Sequence, residues 1–440
     1  MKNRDRTSRR RVLKYVGAGS VVGLAGCTQN DGGNGGEGGG GGGTPTPTSG
    51  TTGETSTPGS GSLSAKVGVL ASLSGPYSGL GVDLRDGIKT AKTHLDEGVW
   101  GDQDVDVELL VKDTKLDPQT GIRRARELTD KENVDVLVGP VSSSVASGVQ
   151  QHANQEGVLH LHPISTAERW TGKDCGNYTF RATAHSYMNM KPVAEYAMAN
   201  VGNRYATIGA DYSWGHESVG AFVENAKQIN PDSEVVAQTW PKLGSTDFSS
   251  HIQRVTSTDA DFVVVRLTGA DIINCIKQMA SFGVQDEMDV VSSNTHTLAR
   301  GAGEAAVGII GGARYTHVLR REQTGNDQNE TFVADFQAAT DRLPTTFAHG
   351  GYACLQSFAI AATEAGTTNS DDLVSKLEGF KWESPKGPMK YRECDHQAAQ
   401  RMWSSVFVMD DDLGVPVPKI TKQHELGTNN RPCEETGCQM

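Results

Sequence analysis

The sequence predicts an α/β fold made of two doubly wound lobes, each with a mostly parallel sheet. Three observations carry this. Short runs rich in Val and Ile alternate with longer stretches of helical spacing. That alternation breaks at a loop and restarts near residue 204. Residues 64–440 are long enough to bury two cores. Taken in order, "AKVGVLASLSG" (65–75) opens with a strand. In "DLRDGIKTAKTHLDEG" (83–98), Leu84, Ile88, Ala91 and Leu95 share one helix face. "DVDVELLVKD" (104–113) alternates as a strand does. The helix 117–133 opens with Asp117 as N-cap and Pro118 at its first position, where the missing N–H costs nothing. "VDVLVG" (134–139) is a strand, 143–156 a helix, and "GVLHLH" (157–162) a strand. After the restart, strands are expected at 204–211, 233–240, 261–267 and 289–294, with helices at 220–229, 248–258 and 270–283 between them. Such strand–helix repetition gives parallel, doubly wound sheets, which bind ligands beyond the carboxyl ends of their strands.

The loops at those ends are "SLSGPYSGLG", "GPVSSS", "HPISTAE", "ADYSWGHE", "RLTGAD" and "SSNTHT". They offer hydroxyls, accessible backbone and a few aromatic rings. "GPVSSSVAS" (139–147) places Ser142, Ser143 and Ser144 at a strand-to-helix turn. Catalysis would need a base and an orienting acid beside the nucleophile. Ser143 is not in a G-x-S-x-G elbow, and none of the twelve histidines stands in a catalytic motif, so no enzyme is expected. One hydroxyl of the three is expected to cap the helix, and a helix N-terminus with hydroxyls also suits a carboxylate or carbonyl oxygen. His160 and His162 share a strand face but lack further ligands, and Asp395 with His396 are a poor metal pair. No zinc-type cysteine spacing occurs, and neither metal nor cofactor is expected.

The chain start carries an address. Arg4, Arg6, Arg9, Arg10, Arg11 and Lys14 precede 12 mostly apolar residues, Tyr15–Gly26. A bilayer span needs about 20 apolar residues, so this stretch reads as an export signal. "SRRRVLK" carries the twin-arginine pattern. "LAGC" is similar to a lipobox, which would make Cys27 the lipidated first residue of the mature chain. Residues 28–63 are nearly all Gly, Thr, Ser and Pro, too polar to order themselves. As a coil this tether reaches roughly 30–35 Å. Without residues 1–27, 34 basic residues face 52 acidic ones, a net charge of −18. Nucleic-acid binding wants a basic face and is not expected. The body is read as outside the cell. Asn177 ("NYT") and Asn329 ("NET") match the glycosylation pattern. Cys275 and Cys354 fall in apolar helical patterns and are expected as buried thiols. A local disulfide is expected between Cys433 and Cys438.

From about 66 to 410 the chain resembles the type I periplasmic binding proteins, specifically the branched-chain amino acid and amide binders of ABC transporters. The stretches that carry the likeness are "VGVLASLSGPYSGLG", "VDVLVGPVSSSVAS", "HPISTA", "YTFRATA", "ADYSWG", "STDFSSHIQRV" and "GPMKYRECDHQA", in the family's order. The resemblance implies two lobes joined by a hinge of three crossings, near 185, 313 and 395. Lobe one would be 64–185 with 313–395, and lobe two 186–312 with 396–440. It implies that Ser143, Ser165 and Thr166 hold a ligand's oxygen atoms and that Trp214 stacks on it. Leu80, Thr268 and Asn294 or Thr295 would complete the pocket. Leu80 stands where relatives carry an aromatic, and Asn294 where amino-acid binders carry an acid for the ammonium group. An amide pairs poorly with a buried ammonium, so an amino-acid ligand is in doubt. Asp211 and Asp271 are the substitutes in view. The implied function is capture of a small polar solute and its delivery to an ABC permease, from a lipid anchor on the membrane. A ligand sensor for a signalling partner is the alternative.

Overall fold

A computed structural model describes residues 62–440 apart from Pro76 and Asn294. The expectations for the leader, for Cys27, for most of the tether and for Asn294 lie outside those residues. Leu63, the last residue assigned to the tether, already starts the first strand.

The first sheet holds β1 (Leu63–Ala71), β2 (Val105–Asp113), β3 (Val136–Val138), β4 (Leu159–His162) and β5 (Thr179–Arg181), in the order β2-β1-β3-β4-β5. Every pairing is parallel. The second holds β6 (Arg204–Gly209), β7 (Glu234–Thr239), β8 (Phe262–Arg266), β9 (Asp289–Ser293) and β10 (Ile310–Ala313), in the order β7-β6-β8-β9-β10, again parallel. The two sheets therefore repeat one winding, as the restart near 204 implied. Three further strands, β11 (Lys381–Ser384), β12 (Gly387–Tyr391) and β13 (Ala398–Gln400), make a small antiparallel sheet. The last two, β14 (Met402–Asp410) and β15 (Val415–His424), add antiparallel to β10 and extend the second sheet.

Side-chain alternation makes the layers. In β1, Ala65, Val67, Val69 and Ala71 join one core with the helices Ser78–Asp96 and Thr346–Ala365. Leu70 and Leu137 point the other way, to the helices Pro118–Asp130 and Ser143–Glu156. In the second lobe, Val263 and Val265 face one core and Phe262 and Val264 the other. These strands are apolar on both faces, as parallel strands covered by helices must be. The chain leaves the first sheet after β5 and enters the second at β6; after β10 it runs to the small antiparallel sheet and returns to the second sheet at β14.

Asp117 caps its helix as expected, accepting from the Thr120 N–H, with Pro118 at the first position. Two helices begin earlier than periodicity suggested, at Ser78 rather than 83 and at Ser213 rather than 220. Their first turns each hold a glycine that lies against the end of the preceding strand, and a single Leu80 or Trp214 that lines a cavity, so the apolar period starts late. A Cβ on Gly81 would come within 2.0 Å of the Ser72 carbonyl oxygen, and one on Gly215 within 2.0 Å of that of Ala210.

The expected Cys433–Cys438 bridge does not form. Cys175 pairs with Cys438 and Cys394 with Cys433. Both bonds tie the C-terminal segment back to distant chain, a pairing that spacing along the sequence does not encode. Arg431 reinforces that seat by ion pairs to Glu168 and to Glu224 of the helix Ser213–Ile229. Cys275 and Cys354 are buried and free. Asn329 is fully buried, accepting from the Tyr315 hydroxyl and donating to the His317 and Leu319 carbonyls, so it is closed to glycosylation; Asn177 is exposed. His160 and His162 are both buried, with ring centroids 4.3 Å apart. Asp395 pairs with Arg392, and His396 stacks on Phe180. Among the described residues, no group of three or more His, Cys, Asp or Glu could hold a metal, and no helix is long and apolar enough to cross a membrane.

Candidate functional site

The carboxyl ends of the two parallel sheets face one cavity of about 150 Å³. Ser143, Ser165, Thr166, Leu80, Trp214 and Thr268 all line it. Thr295 lines it too, as does Ser293 on the other side of the undescribed Asn294. Asp211 and Asp271 do not. Asp211 is exposed and pairs with His216, and Asp271 accepts from the Gly244 N–H.

The first lobe presents hydroxyl donors. The Ser143–Glu156 helix has Ser142 as its N-cap residue, and no side chain caps its first-turn N–H groups. Ser142 and Ser144 hydrogen-bond to each other at 2.8 Å. Trp170 Nε1 donates to Ser165 Oγ at 3.0 Å, and Ser165 donates onward to Ser143 Oγ at 3.0 Å. Ser143 thus receives a hydrogen bond, and its own O–H proton stays available to an acceptor in the cavity. Thr166 repeats the arrangement. Trp214 Nε1 donates to its Oγ1 at 3.0 Å, leaving the threonine proton to donate.

That Trp214–Thr166 bond also crosses between the lobes. A second crossing joins the Tyr77 and Tyr212 hydroxyls at 2.8 Å. Each tyrosine is the N-cap residue of the helix that follows the first strand of its sheet, Ser78–Asp96 after β1 and Ser213–Ile229 after β6. Burial, above all, raises both phenols above their ordinary 10.0, so they act as neutral hydroxyls. The cleft is closed in this structure.

The apolar walls come from Leu80, Val141, Ile164, Ile272 and Phe347. Two arginines complete the lining. Arg266 ends β8 and Arg314 follows β10. Arg266 donates from Nε to Ser218 Oγ at 2.7 Å and from a terminal nitrogen to Ser293, and its guanidinium lies 5.2 Å from the Trp214 ring centroid. Arg314 donates to Thr183 Oγ1 at 3.1 Å and lies 5.9 Å from the Phe347 centroid. Sequence reasoning missed Tyr77, Tyr212 and both arginines. Arg266 did leave a signal: in "DFVVVRL" it is the single charge closing an apolar strand, at the end where ligands bind. Arg314, in "GGARYTH", left none.

Two doubly wound lobes with one small cavity between them, apolar-walled and set with hydroxyls and two arginines, define a bilobal solute-binding protein. The chain belongs to the periplasmic binding protein family, whose model matches residues 64–408. Leu/Ile/Val-binding protein homolog 4 of Brucella abortus is 23% identical over 349 residues, 76% of this chain and 81% of the relative. An ABC transporter substrate-binding protein from Sphaerobacter thermophilus superposes with a TM-score of 0.75 at 24% identity, over 82% of this chain and 98% of the other. A solute-binding protein of an ABC transporter from Rhodopseudomonas palustris, solved with 3,4-dihydroxybenzoic acid, gives 0.73 at 22%, over 82% and 97%. The fold assignment made from the sequence is thereby met.

Proposed function

We propose that this chain is the solute-capturing component of an ABC importer. It would sit on the outer face of the cell membrane, held by a lipid on Cys27 and raised by the Gly/Thr/Ser/Pro tether, and hand its cargo to a membrane permease. The lobes meet at crossings near 185, 313 and 395, and a small solute is held between them. Ser143, Ser165 and Thr166 hold its oxygen atoms from the first lobe. Trp214, Thr268, Ser293 and Thr295 cover it from the second, and Leu80 forms part of the wall.

One observation carries this reading: the hydroxyls of Ser143 and Thr166 each accept a hydrogen bond from the protein and so are set to donate into the cavity. A ligand must then offer acceptors, as a carboxylate or carbonyl does. The same geometry favours binding over catalysis, since the partner of Ser143 is another serine and not a base. A melting-temperature screen of the purified protein against amino acids, amides, urea and short carboxylates tests it. Ligand-dependent stabilisation of RT ln(1 + [L]/Kd) is expected from at least one class, about 2.7 kcal/mol at a hundredfold excess over Kd. A cognate sugar or bare cation would overturn the assignment of the hydroxyls. Export and anchoring have their own test. Cys27→Ser should release the body into the medium or leave an unprocessed precursor, and a variant processed and membrane-bound as before would refute the anchor.

A further inference from the structure

The cavity lining is cationic with nothing to balance it. Arg266 is 4% exposed, and Arg314 is half-buried. Neither makes an ion pair among the described residues, and their hydrogen bonds go to the neutral hydroxyls of Ser218, Ser293 and Thr183. Among the described residues none of the lining is acidic. Behind Arg314 lies Lys386, also buried, which donates to the Arg314 carbonyl and to Gln400 Oε1. Charges taken out of water are costly unless a counter-charge meets them. Burial pushes the Arg266 guanidinium down to about 9, with the charge of Arg314 adding to the effect, and burial pushes Arg314 down to about 10. An anion placed beside these two guanidinium groups would supply the counter-charge that no neighbouring carboxylate gives them.

From these observations, and resting on the solute-capture reading, we infer that the cargo is a small organic acid anion with a compact apolar body and no ammonium group, its charge met by Arg266 and Arg314. An α-amino acid brings a carboxylate, but its ammonium would enter beside two guanidinium groups with no carboxylate to receive it. The anion brings only the charge the site lacks. Donors surround it: the hydroxyls of Ser143 and Thr166 in the first lobe, Arg266 in the second, and Arg314 just past β10, where it is held to Thr183. The apolar walls, with Tyr77, Tyr212, Trp214 and Phe347, suit a ring or a branched alkyl group. A cavity near 150 Å³ is of the size that holds a benzene ring.

The test uses three probes on the same protein by calorimetric titration: leucine, 4-methylpentanoate, which is leucine without its amine, and benzoate. At least one of the two anions should bind, and leucine should bind at least about a hundredfold more weakly than 4-methylpentanoate. In Arg266→Gln, affinity for the bound anion should fall about ten- to a hundredfold, the range for a lost hydrogen bond to a charged group. Arg266→Lys, which keeps the charge, should recover part of it. Leucine binding as tightly as 4-methylpentanoate overturns the inference and leaves solute capture standing. That comparison needs no variant, so it holds even if Arg266→Gln folds poorly. If none of the three binds, the inference also falls. Solute capture falls with it only if the wider screen of amino acids, amides, urea and carboxylates leaves the melting temperature unmoved.

Discussion

Replacing Ser143 by alanine separates a hydroxyl that grips a ligand from one that holds up a helix. Within the protein, Ser143 Oγ has one partner, the hydroxyl of Ser165 at 3.0 Å. It is the first residue of its helix rather than the N-cap, and the N-cap residue, Ser142, makes no side-chain cap. The substitution therefore removes at most one neutral hydrogen bond, worth about 0.5–1.5 kcal/mol net. Ser165 keeps its bond from Trp170, which limits the loss further. At about 2–4 °C per kcal/mol for a domain of 150–250 residues, and less for a larger one, the melting temperature without ligand should fall by no more than a few degrees. Binding is a different matter. On the proposed reading the lost proton is the one that would meet a charged ligand oxygen, which costs about 1.5–3 kcal/mol, or about ten- to a hundredfold in Kd. Calorimetric titration beside a ligand-free melting curve reads both quantities. A lower melting temperature with an unchanged Kd would refute the reasoning and return Ser143 to a capping role.

Other consequences follow from the same geometry. Tyr212→Phe removes the 2.8 Å bond to Tyr77 that crosses the closed cleft, so the closed form should weaken by about 0.5–1.5 kcal/mol and ligand Kd should rise about two- to tenfold; an unchanged Kd would show that closure does not depend on the pair. Burial lowers His160 from 6.5 to about 4 and, with the charges of His296 and Arg320 adding, lowers His317 to about 4. The folded state then binds fewer protons than the unfolded chain, so the stability tied to neutral His160 is complete above pH 6.5 and is lost as pH falls toward 4, about 3 kcal/mol in all. Melting curves across that window should show the fall, and His160→Asn should flatten it. Peptide mapping without reduction should find Cys175 joined to Cys438 and Cys394 to Cys433, and a Cys433–Cys438 link would refute the pairing. Removing the Cys394–Cys433 bridge should cost about 2–4 kcal/mol, read as a lower denaturation midpoint.

The sequence by itself determined the layered α/β plan. Strand and helix periods are local, and each apolar run carries its own period, so the restart near 204 was enough to expect two sheets of one winding. Loops at the carboxyl ends of strands were legible for the same reason, and Ser143, Ser165, Thr166, Trp214, Leu80 and Thr268 meet at one cavity. Helix starts were less legible where, as at Gly81 and Gly215, close packing on a strand end replaces the apolar pattern. What only the tertiary structure decided joins residues far apart in the chain. Tyr77 bonds to Tyr212, Cys175 to Cys438 and Cys394 to Cys433. Which way the Ser143 and Thr166 hydroxyls donate depends on Trp170 and Trp214, each of which holds a side-chain oxygen as its acceptor. The charge of the site was the most hidden. Arg266 ends one strand and Arg314 follows another strand of the same sheet, and whether a guanidinium is balanced depends on every other residue around the cavity. No local pattern holds that information, because electrostatic environment is a property of three-dimensional neighbours and not of neighbours along the chain.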